Sequence, residues 1–468
     1  MLDNECVKGY YFMPHPPVLL PEIGGVDSQK VFKTYKACDE IGKEIAKKKP
    51  KCIVLITPHG NVFSDAVVFL KGDFVEGDLW NFGAEDIKVK KKISKDLVDK
   101  LEEVFKESLI PNLPLDKKTA IKYNCSYTID HGALIPLYFV DKYYNDYEIL
   151  HITYGLLSSK DLYRAGMCIY KAIESLNLDS VIIGSGDLSH ALKDSGPYTY
   201  NKDGKIFDEL FIKHMENGDF TSLMKMDNKI IENAKECGLR TAYILNGCMD
   251  LYKFKGKCLS YQDTFGVGYG VLKFDINKRT NSKYKDVLYE YKKYRKEIIS
   301  KQSDYVKLAR ESLFNYLLKE EYIDAPSKFQ DEFNLKNGVF VTIKQYGQLR
   351  GCIGSIAPTT KNRILEIIKN AVEAGINDVR FNKVELWEMD SLDISVSILG
   401  ELSYAEISEL DVKKFGVVVE NDFKQGVLLP NIEGIDSVEQ QIKVAKQKAG
   451  IEEDELFYIR KFKVEYYN

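Results

Sequence analysis

Histidine is scarce in this chain and unevenly spread: the six occur at positions 15, 59, 131, 151, 190 and 214 of 468 residues, and none lies beyond 214. The C-terminal half therefore lacks the side chain that most readily carries a proton near neutral pH. Long apolar runs are missing too. None approaches the roughly 20 residues that span a bilayer, so no membrane role is expected. The N-terminal stretch MLDNECVKGYYFM has no basic region followed by an apolar one and does not read as a signal peptide. Neither charge dominates: 66 Lys and Arg face 70 Asp and Glu, which argues against nucleic acid or an anionic membrane as partner. The nine cysteines are scattered and never form CxxC. Such a set reads as free thiols in a reducing compartment, so a cytoplasmic location is expected. No GxxxxGK[ST] and no GxSxG occurs, which excludes a phosphate-cradling loop and a nucleophile elbow.

What is present is an ordinary globular balance, with 44% hydrophobic and 29% charged residues, over a length suited to two or three domains. In the first part, the runs CIVLITPHG, YEILHITYG and DSVIIGSGDLS read as buried strands. The patterns VFKTYKACDEIGKEIAKK, ISKDLVDKLEEVFKESL, SKDLYRAGMCIYKAIESL, DGKIFDELFIKHMENG and IIENAKECGLRTAYILNGCMDL read as helices. This alternation predicts an α/β domain over residues 1–275, a mostly parallel sheet flanked by helices. Hydrophobicity falls and lysine rises after it, so 276–295 reads as a linker. Residues 296–468 alternate differently. A hairpin turning at Tyr346-Gly347, a helix RILEIIKNAVEAGIND, a hairpin turning at Asn421-Asp422, a helix capped by Ser437 and a closing strand FYIRKFKVEYY predict a smaller α+β domain.

Three histidines close strand-like runs: His15 after GYYFMP, His59 after CIVLITP and His190 after SVIIGSGDLS. Strand ends are where α/β sheets gather their chemistry. His15, flanked by prolines, and His59, followed by Gly60, suit an open metal site with positions left for substrate. The third ligand is open between two neighbours in AKECGLR. Glu236 would complete a 2-His-1-carboxylate site for Fe(II), whereas Cys237 would make a softer one, better for zinc or copper. Asp187, three residues before His190, is placed to orient it as a proton carrier. His131, in IDHGALIPL, suits a substrate oxygen. His151, within a strand, and His214, in a polar helix, read as structural or surface residues.

The ordered set PHPPVLLPEIG, TPHG, DHGALIPL, GSGDLSH and ECGLR resembles the class III extradiol ring-cleaving dioxygenases and the related Memo proteins, over roughly residues 5–275. The resemblance implies a non-haem Fe(II) centre with His15, His59 and Glu236 as ligands. It implies His190 as general base and acid and His131 as the substrate contact, acting on a catechol-like or other chelating small molecule. The Memo-like variant implies Cys237 in place of Glu236.

The C-terminal motif LRGCIGSI, with NDVRFNKV, ELSYAEI and QGVLLPNIEG, resembles the AMMECR domain, a compact α+β unit of unestablished role. Arg350, Gly351, Cys352 and Gly354 read as a binding loop in which glycines free the backbone, Arg350 offers an anion-binding fork and Arg380 completes the pocket. Together the two halves resemble the A proteins of the AmmeMemoRadiSam system. That architecture implies association with a radical SAM enzyme and a Memo-like partner; the chain itself has no CxxxCxxC for such a cluster. Three functions follow as expectations: an Fe(II) dioxygenase, a metal-binding partner protein of a radical SAM system, or a zinc-dependent hydrolase.

Overall fold

The computed structural model describes residues 5–432 and 434–468. The chain divides into two compact units, the first ending at Tyr294 and the second starting at Arg295.

Among the described residues, the first unit holds ten strands: β1 (Val7–Met13), β2 (Cys52–Thr57), β3 (Val67–Leu70), β4 (Phe74–Leu79), β5 (Ala84–Lys92), β6 (Asn112–Leu115), β7 (Glu148–Thr153), β8 (Ser180–Ser185), β9 (Tyr252–Gln262) and β10 (Tyr269–Arg279). Eight form one sheet in the order β6-β3-β7-β2-β8-β1-β10-β9; β4 and β5 form a separate hairpin. The four central strands β7, β2, β8 and β1 run parallel. Their sequences explain why: every residue of CIVLIT and SVIIGS is buried, and strands covered on both faces carry continuous apolar runs. The flanks are antiparallel, β3 against β7 and β10 against β1 and β9, so the sheet is mixed, with a parallel centre. Helix Phe32–Lys48 packs with His131–Asp141, and Ser159–Ser175 with Leu239–Cys248.

Two sequence expectations change. The single helix expected across IIENAKECGLRTAYILNGCMDL is two, Asn228–Ala234 and Leu239–Cys248. Lys235 adopts a left-handed φ of 55° and ends the first, and residues between the helices are released from helical pairing. The stretch read as a linker carries the end of β10 and most of helix Tyr284–Lys301, and Val287 and Tyr291 belong to the first unit's core. Lys285, Tyr289, Lys292 and Lys293 are on the solvated face of that helix.

Among its described residues, the second unit pairs two antiparallel four-stranded sheets. One orders Gln348–Ser355, Val339–Gln345, Leu392–Leu399 and Val464–Tyr467; the other orders Ser403–Tyr404, Tyr458–Phe462, Gly416–Glu420 and Gln425–Leu428. Tyr346 and Gly347, at φ 52° and 83°, turn the first hairpin, the both-positive pattern that fits the twist of tight hairpins. Ser437 caps helix Val438–Ala449 through the Gln440 N–H. The expected closing strand FYIRKFKVEYY splits around Lys463 and serves both sheets. No helix among the described residues is long and apolar enough to cross a membrane.

Candidate metal centre

Because β1, β2, β7 and β8 are parallel, their C-terminal ends share one edge of the sheet. His15 lies two residues beyond β1, His59 two beyond β2, and Asp187 and His190 beyond β8. Cys237 arrives from the break between the two helices. A close backbone approach brings it in: a Cβ on Gly186 would stand 2.3 Å from the Gly238 Cα and 2.9 Å from Phe12. Only glycines allow the loop after β8 to pass the Cys237 segment at that distance.

The ligand-type atoms of His15, His59 and Cys237 all lie within 4.8 Å of one another. The His15 and His59 Nε2 atoms are 2.9 Å apart, and the Cys237 Sγ is 3.7 Å from the His15 Nε2. Around a tetrahedral ion at ordinary bond lengths, two nitrogens stand roughly 3.3 Å apart and nitrogen and sulfur roughly 3.6 Å. The His15–His59 and His15–Cys237 separations match within a few tenths of an ångström, and His59 and Cys237 lie within 4.8 Å of each other.

Second-layer contacts prepare them. His15 is 2% exposed. Its Nδ1 lies 2.8 Å from the Ser185 Oγ, whose hydroxyl donates to the Gly132 carbonyl at 2.5 Å. With that proton committed, Ser185 accepts from the His15 Nδ1–H, which leaves the Nε2 lone pair facing His59 and Cys237. Burial, then the neighbouring histidines, pushes the His15 imidazole well below its usual range. Burial, then His131, lowers His59 to about 4. Both rings are neutral near pH 7, as metal ligands must be. The Cys237 thiol is pushed well above its usual range by burial and then by Asp187, so a cation is required to hold it as thiolate. Its Sγ accepts the Asp187 N–H at 3.3 Å, a contact that favours the anion.

Glu236 turns elsewhere. Its Oε2 accepts the Leu239 N–H at 2.6 Å and so caps the following helix. Burial raises its carboxyl. The carboxylate expected as third ligand is engaged with a helix start, and the adjacent thiol faces the histidines.

His131 opens its helix and stacks on His59, centroids 4.3 Å apart at 25°, with Phe82 5.2 Å away on its ring. The His190 Nε2 stands 4.0 Å from the Cys237 Sγ, and its ring lies parallel to Tyr198 at 6.2 Å. Burial lowers both histidines. Asp187 does not orient His190 as its spacing suggested. Its Oδ1 accepts the His15 N–H at 3.0 Å, and burial raises its carboxyl to about 7. The strand-to-loop turn after β8 points residue 187 back toward β1, its neighbour in the sheet.

The sequence reading missed a second network. Asp130 accepts from the Thr57 hydroxyl at 2.6 Å and contacts the His151 Nε2 at 2.7 Å; the Thr57 Oγ1 accepts the His59 N–H at 3.2 Å. Burial acts to raise the Asp130 carboxyl, but the hydrogen bonds from His151 and Thr57 hold it below its usual range. An Asp immediately before His131, in N-cap position, was the available signal. His214 pairs with Asp219 at 3.7 Å.

In the second unit the expected binding loop is an edge strand. Four of the five N–H donors of the Arg350 guanidinium are taken, by both oxygens of Glu388 at 3.0 Å and by the Asn382 and Lys383 carbonyls. It acts as a clamp, its carboxylate-binding fork filled by Glu388. A Cβ on Gly351 would stand 2.0 Å from the Ala374 carbonyl, and one on Gly354 2.3 Å from Phe340; these glycines admit a helix and a cross-strand ring. Cys352 donates its N–H to Asp378, and Arg380, paired with Asp378, donates to the Cys352 carbonyl. Asp378 and Arg380 thus occupy edge groups that would otherwise pair with another strand.

The site and fold define a dioxygenase-like domain, with a His/His/Cys cluster that could hold a metal ion, joined to a second domain. A model of the catalytic LigB subunit of aromatic ring-opening dioxygenase matches residues 9–272, and an AMMECR1 model matches 306–468. The chain belongs to the LigB family through its first unit and carries an AMMECR1 domain in its second. A protein of Clostridium acetobutylicum is 43% identical over 466 residues, 98% of either chain. A protein of Thermotoga maritima is 44% identical over 167 residues, 35% of this chain and 96% of its own. Among solved structures, an uncharacterized protein from Pyrococcus horikoshii shares 31% identity over 35% of this chain and 88% of its own, with a TM-score of 0.32. One from Escherichia coli K12 shares 12% identity over 57% and 98%, with a TM-score of 0.37.

Proposed function

We propose that the first unit is an Fe(II)-dependent oxidoreductase of the extradiol type, acting on a catechol-like or other chelating small molecule. The observation that carries this reading is the convergence of His15, His59 and Cys237 beside two further neutral histidines. His15, His59 and Cys237 hold the metal. When bound, Fe(II) supplies a Lewis acid for two substrate oxygens and a redox partner for O₂. His190 takes a proton from a substrate hydroxyl at Nε2 and returns it to the product; burial keeps its ring neutral and ready to accept. His131 bonds a substrate oxygen, and the Phe82 and Tyr198 rings lie beside His131 and His190 respectively. The test is anaerobic purification and assay. About one Fe per chain and O₂ uptake with a catechol, lost in His190→Ala, are expected. Retained zinc with no O₂ uptake on any catechol would overturn the reading.

A second reading, zinc-dependent hydrolysis at the same residues, is favoured by one observation: the donor beside His15 is the Cys237 sulfur, 3.7 Å from the His15 Nε2, and a thiolate there would be softer than a carboxylate and suited to zinc or copper. The same metal analysis separates the two.

Association with a radical SAM enzyme and a Memo-like partner forms the last part of the proposal. Its support is the resemblance of the two-domain architecture to the A proteins of the AmmeMemoRadiSam system; the Clostridium protein matches this chain over 98% of either length. Co-purification with a radical SAM protein tests it.

A further inference from the structure

We propose that His151 is a positioning residue of the metal centre. The inference rests on the metal-binding reading of His15, His59 and Cys237, and deepens it.

His151 lies on β7, opposite Leu55 of β2, and is 2% exposed. Its Nε2 is 2.7 Å from the Asp130 Oδ2, while its Nδ1 is buried with no hydrogen-bond partner. That pattern selects one tautomer. An Nε2–H donates to the carboxylate and the lone pair sits at Nδ1, because a buried unpaired N–H would cost more than a buried unpaired acceptor. The other Asp130 oxygen accepts from Thr57, whose oxygen in turn accepts the His59 N–H. Asp130 is also the N-cap residue of the helix that begins with His131. One carboxylate therefore sets a metal ligand through Thr57 and a second histidine through the chain, and His151 holds that carboxylate in place. Gly60, next to His59, leaves room for Thr153 of β7, two residues past His151: a Cβ there would stand 2.0 Å from the Thr153 Oγ1. Ligand-supporting hydrogen bonds of this kind change metal affinity by roughly 10–100-fold.

The experiment uses the full chain loaded with Co(II), whose visible spectrum reports ligand geometry. His151→Phe removes the donor; His151→Gln keeps an amide N–H for Asp130. The expected result is Co(II) affinity lowered about tenfold or more with an altered spectrum in His151→Phe, and recovery of both in His151→Gln. A side chain that merely fills the core would lower the melting temperature and leave the spectrum unchanged. If His151→Phe does not fold, Asp130→Asn takes its place with the same expected loss. Wild-type affinity and spectrum in the folded variant overturn the proposal. Co(II) binding that is unaffected by His15→Ala instead overturns the metal site on which it rests.

Discussion

The His15 Nδ1 and the Ser185 Oγ lie 2.8 Å apart, and Ser185 spends its own proton on the Gly132 carbonyl. This pair decides which His15 nitrogen is free. Ser185→Ala removes the acceptor and lets the ring choose either tautomer or turn. Metal affinity should fall about 10–100-fold, as read by competition with a chelator. Unchanged affinity would mean that the ring is fixed by packing alone.

Glu236 and Cys237 are neighbours with separate duties. Glu236→Gln replaces a charged acceptor of the Leu239 N–H by a neutral one, so it should cost about 0.5–1 kcal/mol of stability and leave metal content intact. Denaturant unfolding and metal analysis check it together. Loss of metal in Glu236→Gln with normal stability would return the carboxylate to the ligand set.

Proton release on metal binding should come from one group. The His15 and His59 rings are held below their usual range, His59 at about 4, while the Cys237 thiol is held above its own. At pH 7 the rings carry no proton to lose and the thiol carries one. Zinc titration calorimetry in buffers of different ionisation enthalpy should give about one proton per metal. Cys237→Ala should abolish that release; two or more protons in the wild type would show charged histidines.

Asp208 lies buried, accepting the Ser189 N–H and the Tyr261 hydroxyl, and its carboxyl is raised to about 7 by burial. Its folded-state value exceeds the unfolded one. Between about pH 4 and 7 the native state therefore holds a proton that the unfolded chain has lost, and stability falls as pH rises through that window. The slope is at most about 1.4 kcal/mol per pH unit for one such group. Asp208→Asn should flatten the stability profile between pH 5 and 7, measured by denaturant unfolding. An unaltered slope would remove Asp208 as its source.

Arg350 and Glu388 form a nearly buried pair, with side chains 16% and 6% exposed. Breaking one side of such a pair costs about 3–5 kcal/mol. Arg350→Ala should unfold the second unit early and leave metal content unchanged. A stable variant that had lost affinity for an anionic ligand would restore the binding-loop reading.

Much of this was legible in the chain. Continuous apolar runs marked β2, β7 and β8, and three histidines at strand ends marked the edge where the site forms. The choice between Glu236 and Cys237 was not legible, because it depends on a helix break at Lys235 and on two glycines, Gly186 and Gly238, touching across the fold. His151 sat inside a strand pattern that hides which neighbour it faces. Arg350 looked free because its partners, Asn382, Lys383 and Glu388, lie more than thirty residues away.

The central claim is that His15, His59 and Cys237 hold one metal ion. X-ray absorption on the metal-loaded full chain tests it most directly. One sulfur at about 2.3 Å and two imidazole nitrogens at about 2.0–2.1 Å are expected, with the sulfur signal lost in Cys237→Ala. A shell of oxygen and nitrogen alone in the wild type would contradict it.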